Sequence, residues 1–186
     1  VGRDGRLRKA TILLILALVV VGATWTVFRW YTAPQRAQVG GLEAGQPAPV
    51  VTLTDAATGL PVRIPTELAG RPFLLLFFSQ SCHACRQEVE GLKAHLTEFG
   101  ERGFTAFVVT PGTRADLEYL APTGFPVLLD PSGEAFSAYG VTFIPHTVFV
   151  DRAGLVHRTM TGWSVKESPG AVRETVTDLT GGGGGQ

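Results

Sequence analysis

Phe73-Leu74-Leu75-Leu76-Phe77-Phe78-Ser79-Gln80-Ser81-Cys82-His83-Ala84-Cys85-Arg86 is the stretch whose reading decides the fold. Its apolar first half predicts a strand over Phe73 to Ser79, buried on both faces as a central strand is. After the cysteines, Val89, Leu92, Leu96 and Phe99 recur at helical spacing and Gly100 follows as a stop, so Arg86 to Phe99 predicts a helix. A Cys-x-x-Cys at a strand-to-helix junction is a dithiol/disulfide redox site more often than anything else. These are the only two cysteines of the chain. Zinc sites use the same spacing, but a structural zinc site needs a second ligand pair. Nor do two cysteines this close staple a fold.

The chemistry asks for an attacking thiol with a lowered pKa and an open face. Cys82 falls at the first helical turn, where free N–H groups and the helix dipole favour a thiolate. Arg86, one turn on, adds positive charge if its side chain folds back. Cys85 falls deeper, as a resolving thiol. Ile144-Pro145, just before a strand, is the second element. An X-Pro bond is trans about 95% of the time. A cis bond beside the dithiol would expose the backbone of Ile144 to an extended substrate segment.

Working outward, short strands are expected at Val50 to Thr54 and Pro61 to Ile64 around the turn Asp55-Ala56-Ala57-Thr58-Gly59, then a helical turn from Pro65 to Leu68. Phe104 to Thr110 and Pro126 to Leu129 read as strands. Arg114 to Leu120 reads as a short helix, and Glu134 to Tyr139 as a turn or two of helix. His146 to Val150 and Leu155 to Thr161 form a hairpin, and Pro169 to Leu179 a final helix. This order predicts an α/β domain, a mixed central sheet flanked by helices.

Formal net charge is zero but unevenly spread. Positions 1–40 carry six basic residues and one acid; the remainder carries ten basic and fifteen acidic residues. An acidic folded part without a basic stripe argues against nucleic acid as a partner. Ala10 to Phe28 is uncharged and rich in Ile, Leu and Val, close to the ~20 residues that span a bilayer. Trp25, Trp30 and Tyr31 mark an interfacial belt at its far end, and Arg3, Arg6, Arg8 and Lys9 flank its near end. The organisation expected is a cytoplasmic basic N-terminus (1–9), a transmembrane signal-anchor (10–31), a linker (32–40), an extracytoplasmic domain (41–180) and a disordered glycine tail (181–186). The alternative is a cleaved signal peptide with Val21-Gly22-Ala23 at the cleavage site. Both export the domain to a compartment that permits disulfide chemistry.

From Gly41 to Trp163 the chain resembles the membrane-anchored thioredoxin-like proteins of the TlpA/ResA type, within the redoxin (AhpC/TSA-like) superfamily. The resemblance rests on Gly45-Gln46-Pro47-Ala48-Pro49, Leu68-Ala69-Gly70-Arg71-Pro72, Cys85-Arg86-Gln87-Glu88, Pro126-Val127-Leu128-Leu129-Asp130, Tyr139-Gly140-Val141-Thr142-Phe143-Ile144-Pro145 and Val148 to Gly154. It implies a thioredoxin-like fold, Cys82 as nucleophile, Cys85 as resolving thiol, a cis Pro145, and Glu88 as an active-site glutamate. From residues alone Glu88 reads as a solvated helix acid. The resemblance also implies a single-pass protein of a bacterial inner or cell membrane, with its domain facing the periplasm or cell exterior. Its partners would be client proteins with cysteine pairs and a membrane-embedded electron donor, the body being monomeric.

Four positions depart from the family pattern: Ser81 stands for Trp, Ala84 for Pro, Glu90 for Pro, and His146 for Thr or Ser. His83, Ala84 and Arg86 are the residues expected to tune the potential; His83 would stabilise the thiolate and make the disulfide more oxidising. Ile144 and His146 are the expected substrate-binding positions. The redox-active disulfide Cys82–Cys85 needs no added cofactor. Exchange with client proteins, in cytochrome c maturation or copper-site assembly, is the leading reading. A Cu(I)-binding metallochaperone using the cysteines and histidines is a second. A peroxiredoxin-like peroxidase is a third; that chemistry expects Pro-x-x-x-Thr/Ser-x-x-Cys, and the eight residues before Cys82 contain neither Pro nor Thr.

Overall fold

Residues 42–181 are described in the computed structural model. The signal-anchor, the linker and positions 182–186 of the tail lie outside them. No helix among the described residues is long and apolar enough to cross a membrane.

Seven strands form one mixed sheet: β1 (Val51–Asp55), β2 (Pro61–Ile64), β3 (Phe73–Phe77), β4 (Thr105–Thr110), β5 (Val127–Leu129), β6 (His146–Val150) and β7 (Val156–Thr161), in the order β2-β1-β5-β4-β3-β6-β7. Strand β3 runs parallel to β4 and antiparallel to β6, so it lies inside the sheet. All five of its residues are buried. Alternation sends Phe73, Leu75 and Phe77 into one core, with Val148, Val150 and Tyr139, and Leu74 and Leu76 into the other, with Phe149. This is why the strand reads as an unbroken apolar run rather than an alternating one.

Among the described residues the α-helices are α1 (His83–Lys93), α2 (Leu96–Glu101), α3 (Arg114–Leu120), α4 (Glu134–Ala138) and α5 (Ser168–Gly181). Helices α1 and α5 cover the second core through Val89 and Leu92, and Val172, Val176 and Leu179. Helix α4 packs on the first core through Ala135. The architecture is the α/β one expected, with element ends mostly within two residues.

Three expectations are corrected. The single helix from Arg86 to Phe99 is two helices, because the chain turns at Ala94–His95, where the His95 N–H donates to the Leu92 carbonyl at 2.9 Å. The apolar spacing continues through this turn and hides it. Gly100 lies within α2; the reversal is made at Gly103, whose φ of 69° suits glycine, and the Phe104 N–H then closes on the Phe99 carbonyl at 2.9 Å. Gly181, expected in the tail, is the last residue of α5.

Candidate active site

The strand-to-helix junction builds the site. After β3 the Phe78 N–H still donates to the Val109 carbonyl, and the chain then turns so that the Cys82 N–H reaches the Ser79 carbonyl at 3.0 Å. Cys82 is the N-cap of α1, and its sulfur accepts from the Cys85 N–H at 3.1 Å. Cys82 and Cys85 are joined as a disulfide, with Cα atoms 5.3 Å apart. Cys82 is half-buried, whereas Cys85 is 0% exposed. An incoming thiolate or disulfide therefore meets Cys82 first. Once reduced, a Cys82 thiolate keeps the Cys85 N–H and the positive end of α1 beside it, both of which interact favourably with its negative charge.

The bond Ile144–Pro145 is cis, as the resemblance implies. The Ile144 carbonyl oxygen lies 3.7 Å from Cys82 Sγ, so a reduced Cys82 thiol has an acceptor there. Across the same loop, the Gly162 N–H donates to the Pro145 carbonyl at 2.8 Å and ties the end of β7 to the proline. A second cis bond, Ile64–Pro65, escaped the sequence reading, which has only a helical turn there.

Glu88 is not a solvated helix acid. It is 2% exposed on the inward face of α1, one turn after Cys85. Thr147 Oγ1 donates to Glu88 Oε1 at 2.6 Å, while Oε2 is buried without a protein partner. Burial pushes the carboxyl up to about 7, against the smaller downward pull of the Thr147 hydroxyl. A group with that value takes up or releases a proton at neutral pH, which thiol–disulfide exchange requires.

The remaining expected residues separate. Arg86 does fold back: its Nη1 donates to the Gln80 carbonyl at 2.5 Å, and its Nη2 lies 3.3 Å from His83 Nδ1. His83 is exposed and Ala84 half-buried between the cysteines. His146 is 5% exposed and lies on the other face of the sheet from Thr147 and Glu88, because side chains alternate along β6. Its Nδ1 is 2.8 Å from Thr161 Oγ1, its ring centroid 6.3 Å from that of Phe77, and its Nε2 buried without a partner. Burial holds its pKa below the ordinary histidine value. Among the described residues, no three His, Cys, Asp or Glu side chains are grouped to hold a metal ion.

With this geometry, likeness to known proteins is specific. The AhpC/TSA family profile matches residues 44–159, more than half of the chain. The chain belongs to the AhpC/TSA family. It is 26% identical over 169 residues to the thiol-disulfide oxidoreductase ResA of Geobacillus thermodenitrificans, covering 89% of this chain and 92% of that one. It is 31% identical over 152 residues to the thiol:disulfide interchange protein DsbE of Xylella fastidiosa, covering 78% of this chain and 71% of that one. A crystal structure described as a thiol:disulfide interchange protein DsbE from Chlorobium tepidum superposes with a TM-score of 0.68 at 26% identity, over 75% of this chain and 99% of that one. This AhpC/TSA protein is accordingly a thioredoxin-like thiol–disulfide oxidoreductase of the TlpA/ResA type.

Two supports of the family site are absent from the sequence reading. Asp116, 1% exposed on α3, accepts from the Gln80 N–H at 2.7 Å, from the Thr113 hydroxyl at 2.6 Å and from the Thr113 N–H at 3.1 Å; the last, with the Asp116 N–H donating to Thr113 Oγ1 at 3.2 Å, makes a capping box. Burial raises its pKa, but these hydrogen bonds outweigh burial and hold the carboxyl below its ordinary value. Thr113-Arg114-Ala115-Asp116 is readable as a cap; its tie to the loop before Cys82 is not. Asp116→Ala should cost about 2 kcal/mol in urea unfolding, by orphaning a buried N–H and the cap. A cost under about 0.5 kcal/mol would show that this anchor is dispensable.

Trp163 is the other support, packed on Gly91 of α1. A Cβ on Gly91 would sit 2.7 Å from Trp163 Cζ2. Alanine gains about 1 kcal/mol of helix propensity over glycine, but displacing a packed ring costs about 1–3 kcal/mol. Gly91→Ala should therefore destabilise the domain and red-shift the tryptophan emission. A stabilised variant with unchanged emission would contradict this packing.

Proposed function

We propose that the protein exchanges disulfides with client proteins outside the cytoplasm, held at the membrane by its N-terminal apolar segment. The observation that carries this reading is the asymmetry of the dithiol: Cys82 half-buried against the Ile144 carbonyl, Cys85 wholly buried behind it. In the reduced protein the Cys82 thiolate attacks a client disulfide, and a mixed disulfide forms as one client thiol leaves. Cys85 then attacks Cys82 Sγ, the protein disulfide closes, and the second client thiol leaves. Glu88 takes the Cys85 proton through its free Oε2.

The clients are cysteine pairs such as those of apocytochrome c haem sites or a copper-site assembly factor, and a membrane-embedded donor restores the dithiol. The names of the ResA and DsbE relatives support exchange as the activity. The test mixes reduced protein with a peptide containing a Cys-x-x-Cys disulfide and counts thiols on both by alkylation and mass spectrometry. One peptide disulfide should be reduced for each Cys82–Cys85 disulfide formed. Oxidation of the protein without peptide thiols would sink the reading, and stoichiometric Cu(I) uptake by a protein inert to disulfides would favour the metallochaperone.

A further inference from the structure

Cys82 ends the turn Ser79-Gln80-Ser81-Cys82, which leads from β3 into α1 and closes through the Cys82 N–H on the Ser79 carbonyl at 3.0 Å. Within this turn Gln80 is gripped on both sides. Its N–H donates to Asp116 Oδ1 of α3 at 2.7 Å, and its carbonyl accepts from Arg86 Nη1 of α1 at 2.5 Å. The two peptide groups that flank the Gln80 Cα are thus fixed by side chains of opposite charge from two different helices. Hydrogen bonds to ionised groups are about twice as strong as neutral ones. Asp116 is itself held, because its Oδ2 accepts from the Thr113 N–H at 3.1 Å and from the Thr113 hydroxyl at 2.6 Å. A carboxylate that is 1% exposed is costly to keep. The cap of α3 uses only Oδ2. The other oxygen serves a turn 36 residues earlier in the chain.

We propose that Asp116 is a positioning residue for the exchange reaction: with Arg86 it clamps Gln80 and so holds Cys82 Sγ at the N-terminus of α1. This rests on the exchange reading above. Only Ser81 separates the clamped residue from Cys82. In the attack a bond forms between Cys82 Sγ and one client sulfur, and the client S–S bond breaks. Its electron pair leaves on the second client sulfur, which takes up a proton. The sulfur depends on its place in two ways. The Cys85 N–H, 3.1 Å away, and the positive helix end favour a thiolate only while the sulfur stays beside them. A displacement of about 1 Å can also cost a reaction about a hundredfold in rate.

The test uses the full chain, reduced, in detergent. It reads iodoacetamide alkylation of Cys82 against pH, and the rate with a cyclic Cys-x-x-Cys disulfide peptide. Asp116→Ala and Arg86→Met should each raise the pH of half-maximal alkylation by about 0.5 to 1 and slow the peptide reaction about tenfold. Both grip one residue, so the double variant should be no more than about twofold slower than either single one. Independent roles would multiply to about a hundredfold. Thr113→Ala leaves the backbone N–H on Oδ2 and the Gln80 N–H on Oδ1. It should lower stability through the cap and keep the alkylation midpoint and the rate near wild type. Alkylation of Cys85, which is wholly buried, reports any unfolding; where Asp116→Ala shows it, Asp116→Asn is measured in its place, with the same expected direction. An unchanged midpoint and rate in the folded Asp116 variant, a double variant slowed about a hundredfold, or a Thr113→Ala protein as slow as the Asp116 variant would each overturn the clamp. Failure of the wild type with the peptide, while Cys82 alkylates normally, would overturn the exchange reading instead.

Discussion

Reduced Cys85→Ser protein mixed with an oxidised client should accumulate a covalent client adduct on Cys82, whereas Cys82→Ser should accumulate none. The difference follows from burial. Cys82 Sγ is half-buried at the N-cap of α1, while Cys85 is 0% exposed and packed among Val89, Leu92 and Phe78. A client sulfur reaches the first and not the second. Without Cys85 the mixed disulfide has no internal thiol to resolve it, so it persists. Without Cys82 the remaining thiol lies behind the helix terminus, away from the Ile144 carbonyl. Turnover should fall in both variants by on the order of 10³-fold or more, as for loss of an activated nucleophile. Gel shift and mass spectrometry read the adduct directly. An adduct on Cys85 in the Cys82→Ser protein would reverse the assigned roles.

The stability of the oxidised protein should fall as pH rises through the window between about 4.5 and 7, and Glu88→Gln should remove that fall. Burial raises the folded-state pKa of Glu88 from 4.5 to about 7. Within that window the folded protein keeps a proton that the unfolded chain has released. Stability therefore decreases with rising pH, and the loss is complete above about 7. One pKa unit is worth 1.36 kcal/mol, so the loss attributable to Glu88 is about 3 kcal/mol. His146 acts in the opposite sense. Its pKa is depressed by burial, so the stability it contributes is present above the ordinary histidine value and is lost as pH falls through the depressed one. Glu88 is therefore isolated by comparing wild type with Glu88→Gln at each pH. Urea unfolding should show the two curves separating by about 3 kcal/mol between pH 4 and pH 8. Parallel curves would mean that the Glu88 carboxylate is solvated or partnered in the folded state.

What could be read in advance follows from how local each signal is. Strand β3 announces itself because both faces are buried, and the cap at Cys82 because strand, cysteines and helix are contiguous. The hairpin of β6 and β7 is marked by Asp151-Arg152-Ala153-Gly154 at its turn. Contacts between distant segments were hidden. Thr147 meets Glu88, Asp116 meets Gln80, and Trp163 meets Gly91 only once the sheet has ordered its strands. Glu88 shows the limit most clearly. Its place on the inward face of α1 depends on which side of that helix meets the sheet, and its residue type argues for solvent. His146 shows it in reverse: placing it beside Pro145 in sequence does not place its ring on the dithiol side, because the phase of β6 is set by pairing with β3.

The reduction potential of the Cys82–Cys85 couple in the full chain, equilibrated against glutathione and dithiothreitol buffers, tests the central claim most directly. A reversible two-electron couple near or below about −250 mV is predicted, in the range of thioredoxin and suited to reducing client disulfides. A couple near about −120 mV would reverse the direction of electron flow, and no reversible couple at all would contradict the account.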